Sequence, residues 1–149
     1  MAPRAPADIE PLLPWRFLVE VEGQSVERVV AVGGLTRSTE PVTVRAGGAR
    51  GPAQLVPGLT RFEPVRIDRI LDPRDTLFDD WVRQVDQGAG FRRNVVVTLL
   101  DAARNPAKSW RLLRCWPSGH VAFSQLDGLG NAVVIEALTL AVEAWEPRT

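Results

Sequence analysis

The stretch Val56 to Leu71, "VPGLTRFEPVRIDRIL", decides how the rest of the chain is read. It opens on Pro57-Gly58, a turn-forming pair, and continues as a strand with Val65 and Ile67 on one face and Arg66 and Asp68 on the other. Arg69 then falls on the apolar phase and Ile70 on the polar one. A one-residue slip reverses every later side chain, so the pattern predicts a bulge or a strand end near Asp68-Arg69, and we expect the strand to end there. Asp72-Pro73-Arg74-Asp75 follows with the composition of a helix start. It supplies an acceptor at the N-cap, a proline where no N–H is missed, and a second carboxylate near the positive end of the dipole.

The next segment, "DTLFDDWVRQVDQG", sets Leu77, Phe78, Trp81, Val82 and Val85 on one stripe and stops at Gly88. Burying those large side chains stabilises by on the order of 10 kcal/mol as an upper bound, so the stripe must be covered. Asp79 and Asp80 fall on the outer, solvated face.

On the N-terminal side, "WRFLVEVEG" alternates Phe17, Val19 and Val21 against Leu18, Glu20 and Glu22, the period of a half-buried strand. "SVERVVAVGGL" and "EPVTVRAGGARG" give two more strands, the second followed by a glycine-rich loop, Ala46 to Pro52, that suits a solvent-facing excursion. On the C-terminal side, "RRNVVVTLLD" and "SWRLLRCWP" form a hairpin across "AARNPAK". "WPSGHVAF" reads as a polar loop, and "NAVVIEALTLAVEAWEP" is equally compatible with helix and strand. The sum is a mainly β (α+β) domain with one helix, residues 15–149, preceded by a proline-rich arm, residues 1–14.

Composition narrows the function. The 149 residues are one domain's worth, 45% apolar and 24% charged, as in ordinary globular chains. Eighteen basic residues balance eighteen acidic ones, which leaves no net field to draw the chain to nucleic acid or an anionic membrane. No apolar run is long and uninterrupted enough to cross a bilayer as a helix, and the N-terminal segment lacks the apolar core of a secretion signal, so we expect cytoplasmic synthesis. Cys115 is the single cysteine, which excludes an internal disulfide and reads as a small core residue. His120 is the single histidine, so neither a His pair for zinc nor a Glu/His/Asp facial triad is expected. Ser118 and Ser124 lie near His120 without a nucleophile-elbow pattern, and the glycine-rich "VGGLTRST" and "RAGGARG" lack the Gly-Lys-Ser/Thr ending of a phosphate cradle. We expect no enzyme, no cofactor and no metal. The five tryptophans, Trp15, Trp81, Trp110, Trp116 and Trp145, are dispersed, which fits core and subunit-contact packing rather than a stacking platform.

The order of these pieces, from "FLVEVEG" through "VAVGGL", "VTVRAGG", "VPGLTRFEPVRIDR", "LFDDW", "RRNVVVTLLDAARNPAKSWRL" and "CWP" to "VVIEALTLAVEAW", resembles the T4-like phage tail tube family, which includes the inner tubes of contractile injection systems. The resemblance spans Trp15 to Trp145, with one departure, Arg69-Ile70 where the family usually has Arg-Gly. It implies a β-barrel or sandwich with one flanking helix, a closing segment that is strand, and homohexameric rings stacked into a tube inside sheath and baseplate proteins. The lumen would carry protein or nucleic acid, in a phage tail or an extracellular phage-tail-like particle. The loop after "VTVR" would reach a neighbouring subunit or ring, making Arg45, Gly47, Gly48 and Arg50, with Trp81 and Trp145, the candidate interface residues. A tube-initiator or baseplate adaptor of the same fold, or a secreted small-ligand carrier, are the alternatives.

Overall fold

A computed structural model describes residues 11–148 apart from 46 and 49; most of the expected arm therefore lies outside the described residues. The elements are β1 (Phe17–Val21), β2 (Gln24–Ser25), β3 (Val29–Val32), β4 (Arg37–Val44), β5 (Gln54–Phe62), β6 (Val65–Ile70), α1 (Leu77–Gln87), β7 (Arg93–Leu100), β8 (Pro106–Val121), β9 (Ile135–Ala141) and β10 (Ala144–Arg148). β4 and β5 form a separate two-stranded ribbon. The other eight strands make one sheet in the order β2-β1-β7-β8-β9-β6-β3, with β10 also on β8. The expected mainly β fold with a single helix is what forms, as a sheet that does not close into a barrel. The ambiguous C-terminal segment is strand, paired with β6 and β8 over β9 and with β8 over β10.

β8 organises the sheet because its first half pairs with β7 and β10 and its second half with β9. Arg93 lies opposite Cys115 and Val95 opposite Leu112, so β8 carries an extra residue there. Arg114, at φ 52, is part of that bulge, and its N–H donates to Asn94 Oδ1 at 3.0 Å. A bulge strengthens the local twist, and it changes the inward set from a period of two to Leu112, Cys115 and Pro117, all buried. A second irregularity follows, with Pro117 opposite Leu140 but Gly119 opposite Thr139. "WPSGHVAF" is therefore not a loop: β8 runs through it to Val121, and the shift at Ser118 places His120 opposite the buried Leu138.

One core collects Val19 and Val21 of β1, Val95 of β7 and Leu112 of β8 with Val65 and Ile67 of β6 and Leu138 and Leu140 of β9. α1 contributes Leu77, Phe78 and Trp81 and ends at Gly88, whose left-handed φ of 79 closes the last turn through its N–H to the carbonyls of Gln84 and Val85. The helix begins later than the sequence suggests. Asp72 to Asp75 form a turn, in which Asp75 N–H donates to the Asp72 carbonyl at 3.0 Å, and Thr76 occupies the N-cap without a capping bond. Asp75 Oδ1 accepts from the Leu77 N–H at 3.0 Å and does the work expected of Asp72.

The deciding stretch is corrected in two places. Pro57-Gly58 is no turn but lies within β5, where Pro57 pairs with Pro41 beside a register shift. β6 does not end or slip at Arg69: it stays in continuous register with β9 from Val65↔Leu140 to Ile70↔Ile135. The irregularity lies on the other neighbour, β3, between Val29 and Ala31. Arg69 is on the apolar phase because it faces inward, 1% exposed. Ile70 occupies regular strand, so the backbone at the departure from the family pattern has no need of glycine.

Candidate functional site

Three features stand apart from the core: the projecting ribbon, an apolar groove at the open side of the sheet, and a buried polar cluster. The ribbon pairs Arg37 with Phe62 and Val44 with Gln54 at its two ends, and Thr39 and Thr60 share a hydroxyl hydrogen bond at 2.8 Å. Every residue of β4 is exposed. Val42, Val44, Leu55 and Leu59 are among the exposed large apolar side chains, Leu55 and Leu59 at 67% and 68%. A Cβ at Gly58 would stand 2.7 Å from Val42 Cγ2 and 3.0 Å from the Glu40 carbonyl oxygen, so glycine there lets the two strands close at the register shift.

Arg45, Gly47, Gly48 and Arg50 sit at the tip of this ribbon, all exposed, with Gly48 at φ +77. Ala46 and Ala49, within the expected excursion, lie outside the described residues. Among the described residues neither tip arginine takes part in an ion pair. Trp145 is at the other end of the ribbon, where its ring meets Phe62 edge-on at 5.9 Å. The remaining expected residue, Trp81, is elsewhere. It is fully buried in its own chain's core, donates Nε1–H to the Phe91 carbonyl at 2.6 Å, and has no surface to offer a neighbour.

The groove, of about 580 Å³, lies between edge strand β3 and the β1, β7 and β10 side of the sheet, lined among others by Leu13, Phe17, Val32, Val97, Trp110 and Trp145. Trp145 Nε1 is buried there without a hydrogen-bond partner among the described residues. An unpaired β3 edge, an apolar groove beside it and an apolar ribbon are surfaces that a second chain can complete.

The polar cluster was not expected. Arg69 Nε donates to Glu136 Oε1 at 2.6 Å and Arg69 Nη1 to Asp75 Oδ2 at 2.9 Å. Its guanidinium also lies 3.9 Å from the centre of the Phe78 ring. Beside it stand His120 and Asp79, which with Glu136 bring three ligand-type atoms within 4.8 Å of one another. The single histidine thus stands 3.6 Å and 3.9 Å from two carboxylate oxygens. The signal was present as two charges of opposite sign, Arg69 and Glu136, each in phase with the apolar residues of its strand. Elsewhere, burial with the Glu143 charge pushes the Cys115 thiol up to about 12. The backbone N–H of Arg74 holds the half-buried Asp72 carboxyl below its ordinary value, helped by the charges of Arg74 and Arg28.

A family model described as T4-like virus tail tube protein gp19 matches residues 13–146. Among curated proteins none matches the sequence significantly. Solved structures are similar over nearly the whole chain. A chain of the anti-feeding prophage (AFP) baseplate, symmetrised six-fold, is 21% identical, with a TM-score of 0.80 and coverage of 94% of this chain and 97% of that one. A chain of the sheath–tube complex of an extracellular contractile injection system (PVC) in the extended state is 19% identical, with a TM-score of 0.83 and coverage of 95% and 94%. A chain of the AFP tube-terminating cap is 17% identical, with a TM-score of 0.85 and coverage of 98% and 96%. At these identities the likeness is one of fold.

Proposed function

The chain belongs to the T4-like virus tail tube protein family, and from that premise we propose that it is a non-catalytic structural subunit of the inner tube of a contractile injection system. Its β domain assembles into rings of six that stack around a lumen within a sheath and on a baseplate. The family match over residues 13–146 carries the reading. The open sheet supports it, because a ring of identical subunits joined by head-to-tail contacts covers each copy's free edge with its neighbour. Balanced charge supports it too, since eighteen basic and eighteen acidic residues give copies no net repulsion to overcome. In this arrangement the ribbon tip, with Arg45, Gly47, Gly48 and Arg50, reaches the adjoining subunit or ring, and Trp145 lies at the contact.

Negative-stain microscopy and light scattering of the purified protein test the assignment. Rings of six, alone or in stacks, are expected; a strict monomer at high concentration with no rings would overturn it. Similarity to a chain of a baseplate structure favours one further reading, a tube initiator. That subunit would form single rings that do not elongate, which the same images distinguish.

A further inference from the structure

The chain's only imidazole is left unsatisfied by the described residues. His120 Nε2 is buried and has no hydrogen-bond partner among them. It lies 3.6 Å from Glu136 Oε2 and 3.9 Å from Asp79 Oδ1. The three residues come from β8, β9 and α1, so tertiary folding and not local sequence brings them together. His120 and Glu136 lie on one face of paired strands, His120 opposite Leu138 and Glu136 two residues along from it. α1 then lowers Asp79 onto that face.

The charges around the imidazole are unbalanced. Arg69 is the cation of the cluster, and it is already engaged by Glu136 Oε1 and Asp75 Oδ2. Against it stand the carboxylates of Glu136, Asp75 and Asp79, so with a neutral His120 the cluster is negative. A bound cation can meet that excess, and the spacing suits one. An ion with nitrogen and oxygen bonds of about 2.1 Å holds tetrahedral ligands roughly 3.4 Å apart, near the 3.6 Å and 3.9 Å from Nε2 to the two carboxylate oxygens, with all three atoms inside 4.8 Å. Glu136 can ligate through Oε2 while Oε1 keeps Arg69, and the exposed carboxyl of Asp79 can move the remaining fraction of an ångström.

We propose that Asp79, His120 and Glu136 form a binding site for a divalent transition metal, with zinc the ion whose preferences it fits best. An imidazole nitrogen with two carboxylate oxygens suits zinc and disfavours magnesium and calcium, which take all-oxygen shells. Water completes the shell on the side that Asp79 opens to solvent. The ion ties α1 to β8 and β9 and so braces the helix against the sheet. This inference does not depend on the tube reading.

Calorimetric titration of the EDTA-treated full chain with zinc tests it, with cobalt(II) absorption as the spectroscopic signature. One ion per chain is expected, with a rise in Tm that EDTA reverses. Asp79→Asn, at an exposed position, should keep the metal-free chain folded and weaken zinc binding by about tenfold or more. His120→Gln should abolish the cobalt spectrum. The absence of zinc binding would overturn the proposal. So would binding that Asp79→Asn leaves unaltered, which would put the ion elsewhere, or His120 ring NMR signals that do not respond to zinc.

Discussion

Arg69 Nε donates to Glu136 Oε1 at 2.6 Å between residues directly opposite on β6 and β9, with the two side chains only 1% and 2% exposed. A buried ion pair gives up the hydration of both ions, and its attraction roughly offsets that cost only when both partners are present. Asp75 takes one more guanidinium N–H, so the pair is well satisfied. Glu136→Leu or Arg69→Met alone should destabilise the subunit by about 3–5 kcal/mol, because each leaves a buried charge short of its partner. Arg69→Met/Glu136→Leu together should recover most of that loss. Urea midpoints of the three variants check this, and additive losses in the double variant would refute it.

Two tryptophans of similar chemistry should respond differently to the same change. Trp81 Nε1–H is bonded to the Phe91 carbonyl, and the ring is fully buried. Trp81→Phe strands that carbonyl and opens a cavity, for a loss of about 2–4 kcal/mol. Trp145 Nε1 has no partner to lose among the described residues. Trp145→Phe should therefore cost about 1 kcal/mol or less in the dilute subunit. Equal shifts in denaturation midpoint would contradict the assignment of Trp81 to the core and Trp145 to the groove.

What the sequence disclosed and what it concealed follow from where its periods hold. β1, β7 and the α1 stripe are legible because Phe17, Val19 and Val21, or Leu77, Phe78 and Trp81 with the half-buried Val82 and Val85, keep one period along their element. β8 does not, since its bulges near Arg114 and Ser118 turn Leu112, Cys115, Pro117 and His120 inward at uneven spacing. Arg69 looked like a broken phase because its explanation, Glu136, lies 67 residues away. Pro57-Gly58 has turn chemistry, but pairing with β4 overrides it. The polar cluster shares that cause: each residue has an ordinary local context, and only the β6–β9 pairing and the helix above it make them neighbours.

Cys115 gives a prediction at high pH. Its thiol is held up to about 12 by burial, with the Glu143 charge adding to the effect. An unfolded thiol ionises near about 8.5. The folded value is raised, so the stability linked to this group is fully present below the unfolded value and is lost as pH climbs towards the folded one. The window is clean, because the chain has no tyrosine and only one lysine, Lys108. Urea midpoints should fall from pH 8.5 to 10.5, and less steeply in Cys115→Ala. Identical slopes would sink the linkage. In the folded protein at pH 8, a thiol reagent should react with Cys115 only as fast as the chain unfolds.

The ribbon offers a test that separates folding from assembly. Glycine at position 58 lets β4 and β5 approach, since a Cβ there would stand 2.7 Å from Val42 Cγ2 and 3.0 Å from the Glu40 carbonyl oxygen. Gly58→Val must push the strands apart at the register shift between the Thr39↔Thr60 and Pro41↔Pro57 pairs. No residue of either ribbon strand belongs to the buried core, so the subunit's stability should change by less than about 1 kcal/mol. If the ribbon is the arm by which one copy holds the next, ring and tube formation should collapse while the urea midpoint stays in place. Gly128→Ala is the control, because nothing lies within 4 Å of its added Cβ and it stands outside the ribbon. Microscopy and sedimentation of both variants beside the parent read the result. Rings from Gly58→Val as abundant as the parent's would remove the ribbon from the contact.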